Sequence, residues 1–191
     1  MAIRTAGIRI ACGRLGILAL LAPLALAACG SAERDAASAA VAQAPAATIM
    51  AAVDLGADSG QARQQGIPLL LVVTRELCGY CDQLKAQILR PMLLSGEYED
   101  LIILRELNID SETPIRGFDG RAASGYSVAS GYDALFTPTV LFLGPEGEEV
   151  AQRMIGINTV EMYGYYLDQA IAGATAAIRE GRQAASGSPR H

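Results

Sequence analysis

The sequence has 191 residues, 51% of them hydrophobic, with 15 Lys and Arg against 20 Asp and Glu and a formal net charge of −5. That length fits one domain with an ample core, and an acidic chain without basic runs is a poor match to nucleic acid or anionic surfaces. The only histidine is the last residue, His191, and the only lysine is Lys85, which excludes Ser-His-Asp triads, Cys-His pairs and His-rich metal sites.

The chain opens with Arg4, Arg9 and Arg14, then the apolar run "LGILALLAPLALA", too short to stay as a membrane-spanning helix. The run ends in "LAAC", Leu26 to Cys29, which resembles the lipobox of bacterial lipoproteins. That resemblance implies a leader over residues 1–28, lipid on the thiol of Cys29 as the mature N-terminus, and an exported, periplasm-facing protein held to a membrane by that lipid. Gly30 after the cysteine leans toward the outer membrane. The alternative is an ordinary secretory leader cut at an Ala-rich site, with Cys29 a spare thiol. Removing residues 1–28 takes Cys12, three arginines and no acid, lowering the charge to −8. Residues 29–50, polar and Ala-rich after Cys29, read as a tether. Residues 51–180 form the domain and 181–191 a disordered tail.

Within the domain, strand and helix signals alternate. "GADSGQARQQG" is a short helix closed by Gly66. "IPLLLVVT" is a continuous β-rich run suited to a strand buried on both faces. "CGYCDQLKAQILRPMLL" places Leu77, Cys81, Leu84 and Ile88 on one helical face, with Pro91 kinking or ending the helix. "LIILRELNID", "TVLFLG" and "EEVAQRMIG" are further strands, the last two joined by the tight turn "GPEGE". The first two strands need a right-handed crossover, which the CGYC helix supplies. "NTVEMYGYYLDQAIAGATAAIRE" is a long helix that Asn158 could cap, with Tyr163, Tyr165 and Tyr166 as packing residues. The segment Ser111 to Phe136 is either a loop with a short packing helix, "GRAASGYSV", or a groove wall carrying Tyr132 and Phe136.

The chemistry concentrates in "CGYC". Cys78 stands where the helix begins, so the helix dipole and free N–H groups favour its thiolate. Cys81, one turn in, lies on the same face and deeper. Cys78 is then the nucleophile that forms a mixed disulfide and Cys81 the thiol that resolves it. In an exported chain such a pair can persist as a disulfide. A lone CxxC is a weak signal; a strand before it and a helix after it give it meaning.

With that context the sequence resembles the thioredoxin superfamily over about Ile67 to Ala172, an α/β fold with a central mixed sheet flanked by helices. "LRELNID" resembles the family's second core strand, "FTPTVLFL" its cis-proline strand, and "PEGEEVAQRMIG" its closing hairpin. The resemblance implies catalytic Cys78 and Cys81 and a substrate groove shaped by Gly79, Tyr80, Thr137 and cis-Pro138. It implies no cofactor beyond the Cys78–Cys81 disulfide. "CGYC" with Thr137 resembles the periplasmic disulfide isomerases, whereas the layout resembles small periplasmic thioredoxin-like reductases. Three positions depart from thioredoxin: Leu77 replaces a tryptophan, Val72 the buried acid, and Glu106 the strand lysine. Either Glu106 takes over proton exchange with Cys81, or it is a solvent-facing residue paired with Arg105 or Lys85. Arg75 and Glu76, beside the motif, act oppositely on a Cys78 thiolate, and either could turn inward or neither.

The leading expectation is a lipid-anchored envelope thiol–disulfide oxidoreductase that reduces protein or small-molecule disulfides, fed by a membrane electron-donor thiol protein. The alternatives are an isomerase of the same fold and a Cu(I)-delivery module using the two soft thiolates.

Overall fold

The computed structural model describes residues 47–187. The leader, Cys29 and the tether as far as residue 46 lie outside the described residues, as do residues 188–191. The elements run α1 (Leu55–Gln65), β1 (Leu69–Thr74), α2 (Gly79–Leu84), a π-helical turn (Lys85–Leu89), α3 (Arg90–Ser95), β2 (Ile103–Asn108), β3 (Ile115–Arg116), β4 (Ala122–Ala123), α4 (Gly125–Gly131), β5 (Thr139–Leu143), β6 (Glu149–Ile155) and α5 (Val160–Gly187).

β1 organises the sheet, whose order is β2-β1-β5-β6. All six of its residues are buried, because it carries partners on both sides and helices on both faces. Alternation then sorts its side chains. Leu69, Leu71 and Val73 join Leu55, Ala62, Leu107, Ala129 and Leu141 on the α1/α4 face. Leu70 and Val72 join Leu84, Leu89, Leu104, Phe142, Leu167 and Ile171 on the other. Each such side chain gains about 1.5–3 kcal/mol on leaving water, much of it offset by lost chain entropy. β2 runs parallel to β1, as the crossover requires, and β5 runs antiparallel to it.

Local chemistry sets the ends. Asp54 caps α1 by accepting from the Ala57 N–H, and Gly66 closes it at φ +72°. On the α1 face Arg105 makes a two-pronged ion pair with Asp58, at 2.6 and 3.0 Å. Arg105 is therefore not the partner of Glu106.

Several boundaries differ from the sequence expectation. The folded unit begins before residue 51: Ile49 is buried, and the backbone of Met50 and Ala52 pairs with Glu106. The outer edge of β2 needs hydrogen-bond partners, and this segment supplies them. At the other end, α5 continues to Gly187 instead of giving way to a tail after residue 180. Arg182 packs over Gly66 at the end of α1, which ties down that extra turn. α5 begins at Val160, one residue later than a cap at Asn158 would set it. Of its tyrosines, Tyr163 is buried, whereas Tyr165 and Tyr166 are exposed and meet edge to face at 5.4 Å.

Pro91 does not end its helix. The Arg90 N–H reaches back five residues to the Lys85 carbonyl, and the helix runs on to Ser95. A proline ring would collide with the carbonyl four residues before it in a regular helix; the wider π turn relieves this. It also brings Leu84 and Leu89, five residues apart, into one buried layer. Between β2 and β5, the small hairpin β3–β4 was not legible in the sequence, and the short helix begins at Gly125, later than "GRAASGYSV" suggests. Ser124 and Ser127 form a reciprocal cap there.

Gly125 lies so close to the Asn108 carbonyl that a Cβ would sit well inside contact distance. Gly125→Ala is therefore expected to destabilise the protein by about 1–3 kcal/mol, read as a lower Tm in thermal unfolding; an unchanged Tm would refute the close approach. Burial raises both Tyr163 and Tyr132 from 10 to about 12, with Glu149 and Glu148 adding to the effect at Tyr132. A raised folded value means that this stabilisation is complete below pH 10 and lost as pH rises through about 12. Alkaline absorbance titration should show both ionising at about pH 12, together with Tyr98, which its hydrogen bond to Asp168 also raises to about 12, with stability falling between pH 10 and 12.

Candidate active site

β1 ends at Thr74, and four residues later the chain enters α2 at Cys78. The intervening loop is held from the side: the Asp110 carboxylate accepts the Glu76 N–H at 3.0 Å, and the Ile109 N–H donates to the Thr74 carbonyl. Leu77 adopts φ +51° and is fully exposed. It does not belong to the apolar face of the helix, because it stands outside the helix in the left-handed turn that leads into it. Arg75 and Glu76 are both exposed, so neither turns inward.

Cys78 and Cys81 are joined in a disulfide, with Cα atoms 5.2 Å apart. Cys78 is the N-cap of α2: its sulfur accepts the Cys81 N–H at 3.2 Å and its carbonyl the Asp82 N–H at 3.1 Å. A thiolate there meets a free N–H and the positive end of a helical run extending to Ser95. Cys78 is partly exposed and Cys81 is 1% exposed. A partner sulfur can reach the first and not the second.

The opposite wall comes from β5. The Thr137–Pro138 peptide bond is cis, and Thr137 Oγ1 lies 3.7 Å from Cys78 Sγ. The Pro138 carbonyl accepts the Gly156 N–H at 2.7 Å, which ties the loop to the end of β6. Gly79 is exposed, Tyr80 is 64% exposed and Phe136 is 68% exposed. Leu77, Tyr80 and Phe136 thus leave apolar surface in solvent on the segments that carry Cys78 and Pro138. Tyr132 is not part of this rim: its ring packs against Phe118 and its hydroxyl donates to the Gly147 carbonyl.

Glu106 is paired with Lys85 and is not simply a solvent-facing residue. It accepts from Lys85 Nζ at 3.1 Å and from Thr74 Oγ1 at 2.9 Å. The sequence reading missed Thr74, Asp110 and the depth of Lys85. Their only signal was position: Thr74 ends β1 just before the motif, Asp110 lies two residues beyond the end of the neighbouring β2, and Lys85 follows Cys81 by four.

A family model described as a thioredoxin-like domain matches residues 55–171. Among solved structures, the chain is similar to one titled DsbH Oxidoreductase, at 18% identity and TM-score 0.51 over 74% of this chain and 99% of that one. It is also similar to a thioredoxin from Thermus thermophilus (22% identity, TM-score 0.48, 64% of this chain and 87% of that one). A third is thioredoxin O2 from Arabidopsis thaliana in its oxidised state (18%, 0.45, 63% and 92%). No curated protein sequence matches.

Removing the Asp110 carboxylate frees the Glu76 amide. Asp110→Ala should raise hydrogen exchange at that amide by about tenfold, in line with the loss of about 1–2 kcal/mol from a charge-assisted bond. Unchanged protection would show that the loop is held by other means.

Proposed function

The chain belongs to the thioredoxin-like family and is a thiol–disulfide oxidoreductase; from that premise we propose that it is a lipid-anchored enzyme of the bacterial envelope that reduces protein or small-molecule disulfides. The observation that carries the chemistry is the Cys78–Cys81 disulfide, one sulfur accessible and one buried, facing the Thr137–Pro138 loop.

Cys78 is the nucleophile. Its thiolate attacks a substrate disulfide, one substrate thiolate leaves, and the other substrate sulfur stays bonded to Cys78. Cys81 then attacks Cys78, releasing the second thiol and closing the disulfide. Gly79 and Tyr80 on one side, and Thr137 and Pro138 on the other, shape the groove. No cofactor is needed, since two electrons pass between sulfurs. Return to the dithiol requires a donor thiol protein, for which a membrane-resident partner fits a chain tethered through Cys29. The "LAAC" sequence at Leu26 to Cys29 supports that anchoring, and Gly30 leans toward the outer membrane. Among the described residues no helix is long and apolar enough to cross a membrane; attachment in this reading is by lipid.

Thr137 beside Cys78 favours a second reading, that of an isomerase, and the reduction potential separates the two. Equilibration of the full chain with thiol buffers should give a value near about −270 mV for a reductase, and about −120 to −180 mV for an oxidant or isomerase. Cys81→Ser should accumulate a mixed disulfide through Cys78, visible as a reducible mass increase, and Cys78→Ser should not. Equal trapping by both variants would overturn the assignment of roles.

A further inference from the structure

α5 packs one face into the core through Leu167, Ile171 and Ile178. Beside that face a second one stays open. Between α5 and the segment that follows α3 lies a cleft of about 480 Å³, walled by Leu101, Ile171, Ala172, Thr175 and Ala176. Leu101 is 45% exposed, and Ala172 and Ala176 are exposed as well. Two acids, Glu97 and Asp168, and one base, Arg179, border the same cleft.

The polar groups here leave charge, not hydroxyls, to be satisfied. Thr175 donates its hydroxyl to the Ile171 carbonyl at 2.9 Å. Tyr98 donates to Oδ1 of Asp168 at 2.6 Å, and nothing among the described residues donates to Oδ2. Glu97 and Arg179 have no ion-pair partner among the described residues.

The order of residues along this face is palindromic about a point between Gly173 and Ala174. Ala172 mirrors Thr175, Ile171 mirrors Ala176, and Asp168 mirrors Arg179. Small and apolar positions map onto small and apolar positions, and the acid maps onto the base. Asp168 and Arg179 are eleven residues apart, about 16 Å along a helix, so they cannot pair within one chain. A twofold axis through the midpoint brings them together twice, and a self-complementary patch of this kind is what an isologous contact needs. A different protein would have no reason to match that symmetry.

We propose that this face of α5 is a self-association surface, and that its occupant is a second copy of the chain docked antiparallel about an axis near Gly173. Asp168 of each copy receives Arg179 of the other through Oδ2, with Glu97 beside it. Ala172, Thr175 and Ala176 let the two helices approach closely. Exposed ion pairs contribute little each, so the contact of Leu101, Ile171 and the small residues drives association, while the charges fix its direction. A parallel pairing would set acid against acid and base against base. The surface is independent of the chemistry at Cys78, but it decides where two such sites lie. α5 starts at the active-site end, since Gly156, four residues before Val160, donates to the Pro138 carbonyl. The axis crosses the helix about 20 Å from that start. The two dithiols therefore stand at opposite ends of the pair, and neither rim is covered.

Sedimentation velocity of the full chain, from about 1 µM to about 1 mM, should show a monomer–dimer equilibrium. Arg179→Asp sets acid against acid at both contacts and should raise the dissociation constant about tenfold or more. Asp168→Arg sets base against base and should do the same. Mixed in equal amounts, the two variants should recover most of the wild-type affinity, because each contact between unlike copies again joins an acid to a base. A wild type that stays monomeric throughout, the outcome expected if the cleft serves a different protein or a lipid, overturns the proposal. So does association that both single variants leave unchanged, or that their mixture fails to recover. Should Asp168→Arg fail to fold by circular dichroism, Ala172→Trp takes its place, since bulk beside the axis should hold the helices apart. Association unmoved in both Arg179→Asp and Ala172→Trp overturns the proposal equally.

Discussion

The complete burial of β1 is the constraint on which the rest of this structure depends. A strand with helices over both faces and strands on both edges has no freedom of register, because a one-residue slip would exchange its two apolar faces. Its C-terminal end is therefore a fixed point. The Cys78 loop starts there, the parallel neighbour β2 ends beside it with Asp110 against the loop, and the antiparallel neighbour β5 starts beside it with Thr137 and Pro138. The three walls of the site come from three different places in the sequence and meet because one strand is locked between the other two.

The same locking explains how a charged pair survives next to the apolar layer. Lys85 and Glu106 are each only about one-fifth exposed, which is costly for isolated ions. The cost is met by short-range partners: Thr74 adds a hydroxyl from the buried end of β1, and Asp82 lies on the solvent side of the lysine. The π turn that begins at Lys85 follows from Pro91 six residues on, so a proline outside the site shapes the helix where Lys85 stands. Other ion pairs among the described residues lie away from this layer, as with Arg105 and Asp58 on the opposite face, or Arg153 and Glu149 on the edge strand β6.

The surface around Cys78 inverts that economy. Leu77, Tyr80 and Phe136 are exposed although each could have contributed to the core. Leu77 stands in a left-handed turn, a conformation that costs a non-glycine residue about 1–2 kcal/mol, and the Asp110 hydrogen bond beside it helps to hold the loop. Apolar side chains in solvent on both sides of a reactive sulfur give a partner chain something to bury on docking.

Much of this was legible in the linear sequence. Period and composition determine the strands "PLLLVV" and "TVLFL", since unbroken β-branched and aliphatic runs have no stable place except between layers. Spacing determines that Cys78 and Cys81 share a helical turn, and the resemblance of "FTPTV" to the family's cis-proline strand implies that this strand faces them. Other features were decided only by tertiary structure. Leu77 carries the same apolar signal as Leu84, yet one is in solvent and the other in the core, because the turn into the helix rotates the first away. Glu106 could face either way until β2 was aligned with β1 and Lys85 was brought over it by the crossover helix. Tyr132 and Phe136 had equal claims on the groove, and a hydrogen bond to Gly147 drew one of them inward. Asp110 gives no local sign that it holds a loop 34 residues earlier in the chain. A sequence states which residues prefer water and which local bends they allow; which polar groups meet across the fold depends on strand register and crossover, and those are set by the packing of the whole.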